Sequence, residues 1–168
     1  MNLSFISTNF NHFIEDMTRL NLPTYDFKTR MTESGKTEIF DSVRKKYLLL
    51  TPEEWVRQHF IQFLIHERSY PSSLILIEKG LNVHQLKRRF DAVVYTNSGQ
   101  PAMLLEFKAP GVKVNQQVFQ QIANYNLQLR VKYLLVSNGL KHYCCEMDYV
   151  KQSFVFLSDI PDFSELPT

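Results

Sequence analysis

The sequence lacks several features that would assign it to a specialised class of protein. It has only two cysteines, Cys144 and Cys145, and because they are adjacent a disulfide between them is not expected, which favours a reducing compartment. No hydrophobic run approaches the roughly 18 residues that span a bilayer, and the first residues lack the basic start and apolar stretch of a secretion signal. The sequence therefore predicts a cytoplasmic protein with no membrane partner.

The chain also lacks a strong excess of charge of one sign. Its 19 Lys and Arg residues nearly balance its 17 Asp and Glu residues, so the formal net charge is +2. Overall charge therefore gives no argument for a nucleic-acid partner, and any basic binding surface would have to be local. With 168 residues, of which 44% are hydrophobic, the chain has the size and composition of one globular domain.

The spacing of hydrophobic residues predicts alternating helices and strands. One helix is predicted at about 51–68, where Thr51 and Pro52 form a typical start, and a second at about 114–130. Three apolar segments between them predict strands, SLILIEKG, FDAVVYT and PAMLLEFK, and KYLLVSNG, HYCCEM and SFVFLSDIP follow the second helix. The order helix, three strands, helix, strand predicts an α/β fold with a mixed β-sheet flanked by helices.

Charged residues lie on a predicted hairpin in the middle of the chain, with Asp91 on one arm and Glu106 and Lys108 on the other. If the loop holds two or four residues around Ser98 and Gly99, the numbers of paired residues add up to 197. Asp91 then lies opposite Glu106, with Cβ atoms roughly 5 Å apart. Alternation puts Lys108 on the same face as Glu106. A three-residue loop or a bulge would shift this register.

Two carboxylates beside an ammonium group can serve a reaction or simply neutralise one another. Facing carboxylates repel unless a cation or a shared proton lies between them, and carboxylate oxygens are preferred ligands of Mg²⁺ and Mn²⁺. Such a metal acidifies water and offsets charge on a phosphate, while a lysine can orient the water. The pattern is therefore what metal-dependent phosphodiester hydrolysis requires. The alternative is a cross-strand acid pair, neutralised by Lys108, on a solvated face.

Four collinear segments resemble the N-terminal nuclease domain of type I restriction enzyme R subunits, within the PD-(D/E)xK nuclease superfamily. They are TPEEWVRQHF, RRFDAVVY, LLEFKAP and QQIANYN, and the resemblance extends over about 38–160. It implies a single nuclease-like domain with a restriction-endonuclease-like core in αβββαβ order at 38–160. An N-terminal arm and small hairpin at 1–37 would precede this core, and a tail at 161–168 would follow it.

The resemblance also implies roles for the residues of the predicted hairpin. Asp91 and Glu106 would bind the metal, Mg²⁺ or Mn²⁺, and Lys108 would assist the attacking water. The superfamily motif has a proline before the first acid, and Phe90 stands at that position here. Because this position tolerates other residues, the departure leaves the expected roles unchanged.

Three further site residues are expected on the two helices. Gln121 and Tyr125 match the family's Gln-x-x-x-Tyr motif, although residues four apart on a helix could equally be a core tyrosine with a hydrogen-bonded glutamine. The resemblance implies one more acid from the first helix. Glu53 is expected because it shares the apolar face of that helix, and Glu54 is the alternative. Both could instead be first-turn acids that complement the helix dipole.

DNA is the substrate that the resemblance implies. Lys87, Arg88 and Arg89 lead into the Asp91 strand, and Lys113 follows the Lys108 strand, so these four could hold DNA phosphates, although a solvated basic loop is an equal alternative. Type I R subunits couple the nuclease to an ATP-driven translocase, for which this sequence has no room. Separate translocase or specificity subunits of a restriction system are therefore possible partners.

One short segment invites comparison with an ATP-binding loop. The sequence SGKT at 34–37 matches the end of a Walker A motif, but Arg30 stands where that motif needs glycine. The surrounding residues alternate as in a hairpin and do not join a strand to a helix. The segment predicts a turn, and no ATP site is expected in this chain.

The sequence therefore predicts a Mg²⁺-dependent DNA endonuclease that is active alone or needs a separate motor or specificity subunit. A non-catalytic nucleic-acid-binding or assembly module with the same fold is the alternative, and its acid pair would be structural. Retained Mg²⁺ binding separates the two, because a binding module has no need of the metal.

Overall fold

The computed structural model describes residues 19–77 and 90–167, which contain two β-sheets and two α-helices. The strands β1 to β9, in chain order, are Thr29–Met31, Thr37–Asp41, Lys46–Leu49, Ile75–Ile77, Ala92–Tyr95, Pro101–Phe107, Tyr133–Ser137, His142–Asp148 and Ser153–Phe156. The helices are α1, Pro52–Glu67, and α2, Gln116–Leu129. Short 3₁₀ turns lie at Ser72–Leu74 and Phe163–Glu165.

Both helices begin at polar caps that the sequence supplies. The Thr51 hydroxyl accepts a hydrogen bond from the Glu54 amide at 3.1 Å, and Pro52 fits the first turn because its missing N–H would have no partner there. The Asn115 side chain accepts from the Val118 amide at 3.2 Å. The predicted helices are confirmed, with ends that differ by one or two residues.

Strands β1, β2 and β3 form a small antiparallel sheet. The β1–β2 hairpin turns at Ser34 and Gly35, and Gly35 takes a φ of +73°, which glycine adopts without strain. The hairpin prediction for the SGKT segment is thus confirmed. β3 was missing from the prediction, because the short segment KYLL carries no alternation that separates it from a loop.

The larger sheet has six strands in the spatial order β4-β5-β6-β7-β8-β9. Every neighbouring pair is antiparallel except β6 and β7, which run parallel. Parallel neighbours need a long crossover connection, and the chain between these two contains α2. The carboxyl ends of β6 and β7 therefore lie at the same edge of the sheet.

The large sheet lies between the two helices. Along β6, Leu105 belongs to a buried cluster that contains Phe60 of α1, whereas its neighbour Leu104 belongs to a second cluster that contains Ile122 of α2. Successive side chains of a strand point to opposite faces, so a strand buried on both sides reads as a continuous apolar run. This arrangement confirms a mixed sheet flanked by helices.

The same alternation separates the two cysteines. Cys144 belongs to the cluster on the α1 face and Cys145 to the cluster on the α2 face, and both thiols are free and buried. Burial raises the pKa of both thiols, that of Cys144 to about 12 and that of Cys145 to about 11. Both are therefore uncharged packing residues at neutral pH.

Two predicted boundaries, that of the SLILIEKG strand and that between arm and core, differ from the elements in the structure. The segment SLILIEKG is extended only at Ile75–Ile77, because Ser72–Leu74 forms a 3₁₀ turn, and its last residues lie outside the described ranges. Strand β2 begins at Thr37, so the small sheet continues across the predicted boundary between arm and core, and the domain division stays a prediction. Within residues 19–77 and 90–167, no helix is long and apolar enough to cross a membrane.

Candidate functional site

The hairpin formed by β5 and β6 has the predicted register, although its loop differs from the predicted one. Its loop holds three residues, since Thr96 and Gln100 pair through an N–H to carbonyl bond of 2.8 Å, and Tyr95 pairs with Pro101. A shift between Val94 and Tyr95 then restores the predicted pairing, and Val94 lies opposite Met103. The loop and the bulge each move the register by one residue in opposite senses. Their effects cancel, so the numbers of paired residues add up to 197 further along the hairpin.

Asp91, Glu106 and Lys108 meet at the open end of this hairpin. Ala92 pairs with Leu105, so Asp91 lies opposite Glu106 in the same register. The Asp91 Oδ2 atom accepts a hydrogen bond from the Phe107 amide at 2.6 Å. The Lys108 Nζ atom donates to Glu106 Oε1 at 2.5 Å, and both side chains remain partly exposed, at 27% and 18%. Solvent and a ligand can therefore reach the group.

Burial and neighbouring charges shift the pKa values of Glu106 and Lys108. Burial raises the pKa of Glu106, the Asp91 and Glu53 charges raise it further, and the Lys108 hydrogen bond and charge oppose them only in part. Burial would lower the pKa of Lys108, but its hydrogen bond to Glu106 and the three nearby carboxylates raise it overall. Lys108 thus stays charged, and a cation bound between Asp91 and Glu106 would offset the repulsion of these two carboxylates.

The structure distinguishes the two candidate acids of α1. Glu53 is exposed, yet it lies close enough to Glu106 and Lys108 to affect the pKa of each. Glu54 is 8% exposed and accepts hydrogen bonds from Arg57 and, at 2.8 Å, from Gln58 Nε2. The predicted choice of Glu53 agrees with this geometry, although its role in a reaction stays a prediction.

Sequence reasoning missed the buried ion pairs that hold Glu54. The Arg57 Nη1 atom donates to Asp41 Oδ2 at 3.0 Å, and the Arg44 Nε atom donates to the same oxygen at 2.7 Å. Asp41 is on β2, so the network fastens the small sheet to the first turn of α1. Asp41 and Arg57 are 16 positions apart, and no local pattern signals such a contact.

The other expected site residues are only partly described. Positions 121 and 125 lie in α2, on the helix that covers the β6–β7 pair, but their side chains lie outside the description, so their roles stay predictions. Lys87, Arg88 and Arg89 fall in the undescribed range 78–89. Lys113 is exposed in the loop between β6 and α2, which follows directly from Lys108.

The donor set at the hairpin fits a hard divalent cation. Among the residues that the structure describes, no group of three or more His, Cys, Asp and Glu side chains is arranged to hold a metal ion. Mg²⁺, however, is commonly held by one or two carboxylates and several waters. Asp91 and Glu106 supply such oxygens from opposite positions on neighbouring strands, and a cation there would offset the repulsion between them. Carboxylate oxygens suit Mg²⁺ or Mn²⁺ better than zinc, which prefers nitrogen and sulfur ligands.

Comparison with known proteins gives independent information. Residues 52–161 match the family described as type I restriction enzyme R protein N terminus (HSDR_N). Among solved structures, the fold is similar to a fragment described as an HsdR subunit of a type I restriction enzyme from Vibrio vulnificus YJ016, with 22% sequence identity and a TM-score of 0.50. The similarity covers 70% of this chain but 24% of that one. No curated protein matches the sequence.

The matched residues contain every described element from α1 to β9, including Glu53, Asp91, Glu106 and Lys108. The structural similarity shows a shared fold, and this chain spans about a quarter of the length of the solved relative. Since the family match covers more than half of the sequence, the chain belongs to the family of type I restriction enzyme R protein N-terminal domains.

Proposed function

We propose that the chain is a DNA endonuclease domain that hydrolyses phosphodiester bonds with the help of Mg²⁺ or Mn²⁺. The observation that carries the proposal is the group of Asp91, Glu106 and Lys108 at the open end of the β5–β6 hairpin, with Glu53 beside it. Membership of the R protein family supports a restriction nuclease-like role. The acids and the lysine are contributed by neighbouring strands and remain partly open to solvent, as a site that binds a cation and a substrate requires.

Each residue has a task that its position favours. Asp91 and Glu106 hold the cation, and the Phe107 amide fixes the Asp91 carboxylate through its hydrogen bond of 2.6 Å. When bound, the cation acidifies water and offsets the charge of the phosphate. Lys108 orients the attacking water and stabilises negative charge that develops on the phosphate oxygens. Glu53 adds a carboxylate from α1 that can accept a proton or a water hydrogen bond.

The element order also supports this proposal. From α1 onward the described elements run helix, three strands, helix and strand, followed by β8 and β9. We infer that these form a restriction-endonuclease-like core, with Gln121 and Tyr125 on α2 supporting the reacting group. Lys87, Arg88, Arg89 and Lys113 would hold the DNA backbone.

The partners follow from the family. In a restriction system, DNA would reach this domain with the help of translocase or specificity subunits, so activity of the isolated chain is expected to be weaker than in the assembly. The relevant compartment is the cytoplasm, where the DNA and the reduced thiols are both found.

The test is cleavage of supercoiled plasmid and of single-stranded DNA with Mg²⁺ or Mn²⁺. Wild type is compared with Asp91→Ala and Lys108→Ala, and with Lys151→Ala as a matched surface control. Loss of cleavage in the first two variants, with circular dichroism spectra unchanged, is the expected result. Equal cleavage by all four proteins would overturn the proposal. An inert wild type that binds DNA but no Mg²⁺ by calorimetry would favour the non-catalytic module.

A further inference from the structure

Two loops leave the large sheet at the edge where the proposed site lies. They follow the parallel strands β6 and β7 and comprise residues 108–115 and 138–141. The Lys108 amide donates to the Ser137 carbonyl at 2.9 Å, which joins the two strand ends. In open α/β sheets, ligands bind outside the carboxyl ends of parallel strands. This edge is therefore where a substrate would approach.

Asn138 holds the two loops together. Its side chain is 6% exposed overall, and its Nδ2 atom donates to the Val112 carbonyl at 2.8 Å. Its Oδ1 atom accepts from the amides of Leu140 at 3.0 Å and Lys141 at 2.8 Å. One buried amide thus fixes both loop backbones. Side chains on these loops start from defined positions, which lowers the entropy cost of binding.

The segment before the small sheet is attached to the same place. The Asn21 amide donates to the Gly139 carbonyl at 2.7 Å, and its side chain donates to the Leu140 carbonyl at 2.7 Å. Gly139 has a φ of +80°, and a Cβ atom there would lie 2.5 Å from Leu20 Cδ2. Only glycine permits this approach, which brings the exposed Arg19 beside the second loop.

The two loops carry charge of one sign. The loops 108–115 and 138–141 contain Lys108, Lys113 and Lys141 and no Asp or Glu. Lys113, Lys141 and Arg19 are all exposed. A chain with a net charge of only +2 therefore concentrates cations around its proposed site. Such a local positive surface complements a phosphate backbone.

We propose that Arg19, Lys113 and Lys141 form a cationic rim that binds the nucleic-acid phosphates on either side of the one to be cleaved at the Asp91–Glu106 site. Asn138 is the positioning residue that holds two members of the rim in place. The identity of the nucleic acid as substrate rests on the proposed function, but its binding is measured separately from cleavage. The rim adds Lys141 and Arg19 to the residues that the sequence alone indicates.

The experiment measures binding of a fluorescent DNA duplex by anisotropy, in EDTA so that cleavage cannot occur, over a series of salt concentrations. The rim variant is Lys113→Gln/Lys141→Gln, to which Arg19→Gln is then added. The control is Lys132→Gln/Lys151→Gln, which removes the same charge. Lys132 precedes β7 and Lys151 lies in the β8–β9 turn, so both are at the opposite end of the sheet.

We expect the slope of log K against log salt to become less steep by about 1 for each rim residue removed, independent of DNA sequence. The control should keep the wild-type slope. Equal slopes for the rim variant and the control would overturn the rim proposal. The proposed function would still stand if the wild-type protein cleaves plasmid. Displacement of the duplex by polyglutamate as effectively as by unlabelled DNA would overturn it in favour of an acidic protein partner. Absence of wild-type DNA binding would overturn it as well.

Discussion

Two groups of acidic side chains lie near the first turn of α1, and they differ in how their charge is balanced. Asp41 and Glu54 are buried and contact two guanidinium groups, those of Arg44 and Arg57. Hydrogen bonds and charges from these arginines overcome the effect of burial and lower the pKa of Asp41. This group is electrically complete and has no need of a further ion.

The second group has the opposite character. Asp91 lies opposite Glu106, Lys108 donates to Glu106, and the pKa of Glu106 is raised, first by burial and then by the charges of Asp91 and Glu53. A carboxyl pKa that is raised by burial and by a like charge is common at functional sites. Buried ion pairs with a full set of partners are common in structural roles. The comparison teaches that neighbouring residues such as Glu53 and Glu54 can lie in different groups, one near Glu106 and one bound to Arg57.

The largest effect should come from breaking the complete group. Arg57→Met leaves Asp41 and Glu54 buried with one arginine, so we expect the free energy of unfolding to fall by about 3–5 kcal/mol. Urea denaturation followed by circular dichroism measures the change. Arg30→Met is the control, because Arg30 is 57% exposed in its pair with Glu38 and its loss should cost less than about 1 kcal/mol. Similar losses in both variants would contradict the distinction.

The second prediction compares the same substitution, Glu to Gln, in each of the two groups. Glu106→Gln should reduce plasmid cleavage on the order of 10²–10³-fold, equivalent to about 3–4 kcal/mol of transition-state stabilisation. Glu54→Gln has the same change of charge and size, and should lower stability while cleavage per folded molecule stays near wild type. Plasmid nicking rates, corrected for folded fraction, check both. Equal loss of cleavage would place Glu54 in the reacting group.

The comparison also explains what the sequence could and could not predict. The register of Asp91 and Glu106 was predicted from an assumed loop of two or four residues, and strand alternation then placed Lys108 on the face of Glu106. The cancelling loop and bulge could not be predicted, since Asn97, Ser98 and Gly99 suit several turn types. The prediction was right at the site although its assumed loop was wrong.

The buried ion pairs of Asp41 and Glu54 could not be predicted from the sequence for a different reason. Asp41 and Arg57 belong to elements that meet only after β3 and the turn before α1 bring the small sheet against the helix. Charged residues are usually exposed, so their burial has no sequence signal. Helical spacing favoured Glu53 over Glu54, and Glu53 lies near Glu106 and Lys108, while its role stays a prediction.

The third prediction concerns cation binding at Asp91 and Glu106. If Mg²⁺ binds the folded state and not the unfolded state, a Mg²⁺ concentration 100-fold above the Kd should stabilise the protein by about 2.7 kcal/mol. For a domain of this size, the melting temperature should rise by roughly 2–4 °C per kcal/mol. Asp91→Asn/Glu106→Gln should abolish the rise, whereas Asp41→Asn should keep it. An equal rise in both variants would mean that the ion binds elsewhere.

The smallest effect is the pH dependence of stability, and the two groups give it opposite signs. The lowered pKa of Asp41 adds stability at pH values above its unfolded pKa, and this stability is lost as the pH falls through the folded value. The raised pKa of Glu106 does the reverse: its carboxylate destabilises the fold at neutral pH, and the penalty disappears as the pH falls through the raised value.

In EDTA, therefore, Glu106→Gln should be more stable than wild type at neutral pH and should lose this advantage towards about pH 4, near the ordinary pKa of glutamate. Asp41→Asn should be less stable than wild type at neutral pH, with a difference that shrinks as the medium becomes acidic. Urea unfolding across this range measures both. A stabilised Glu106→Gln that no longer cleaves DNA would mean that the site retains its carboxylate at a cost in stability, as functional residues often do. A destabilised Glu106→Gln would instead make the Glu106–Lys108 pair structural.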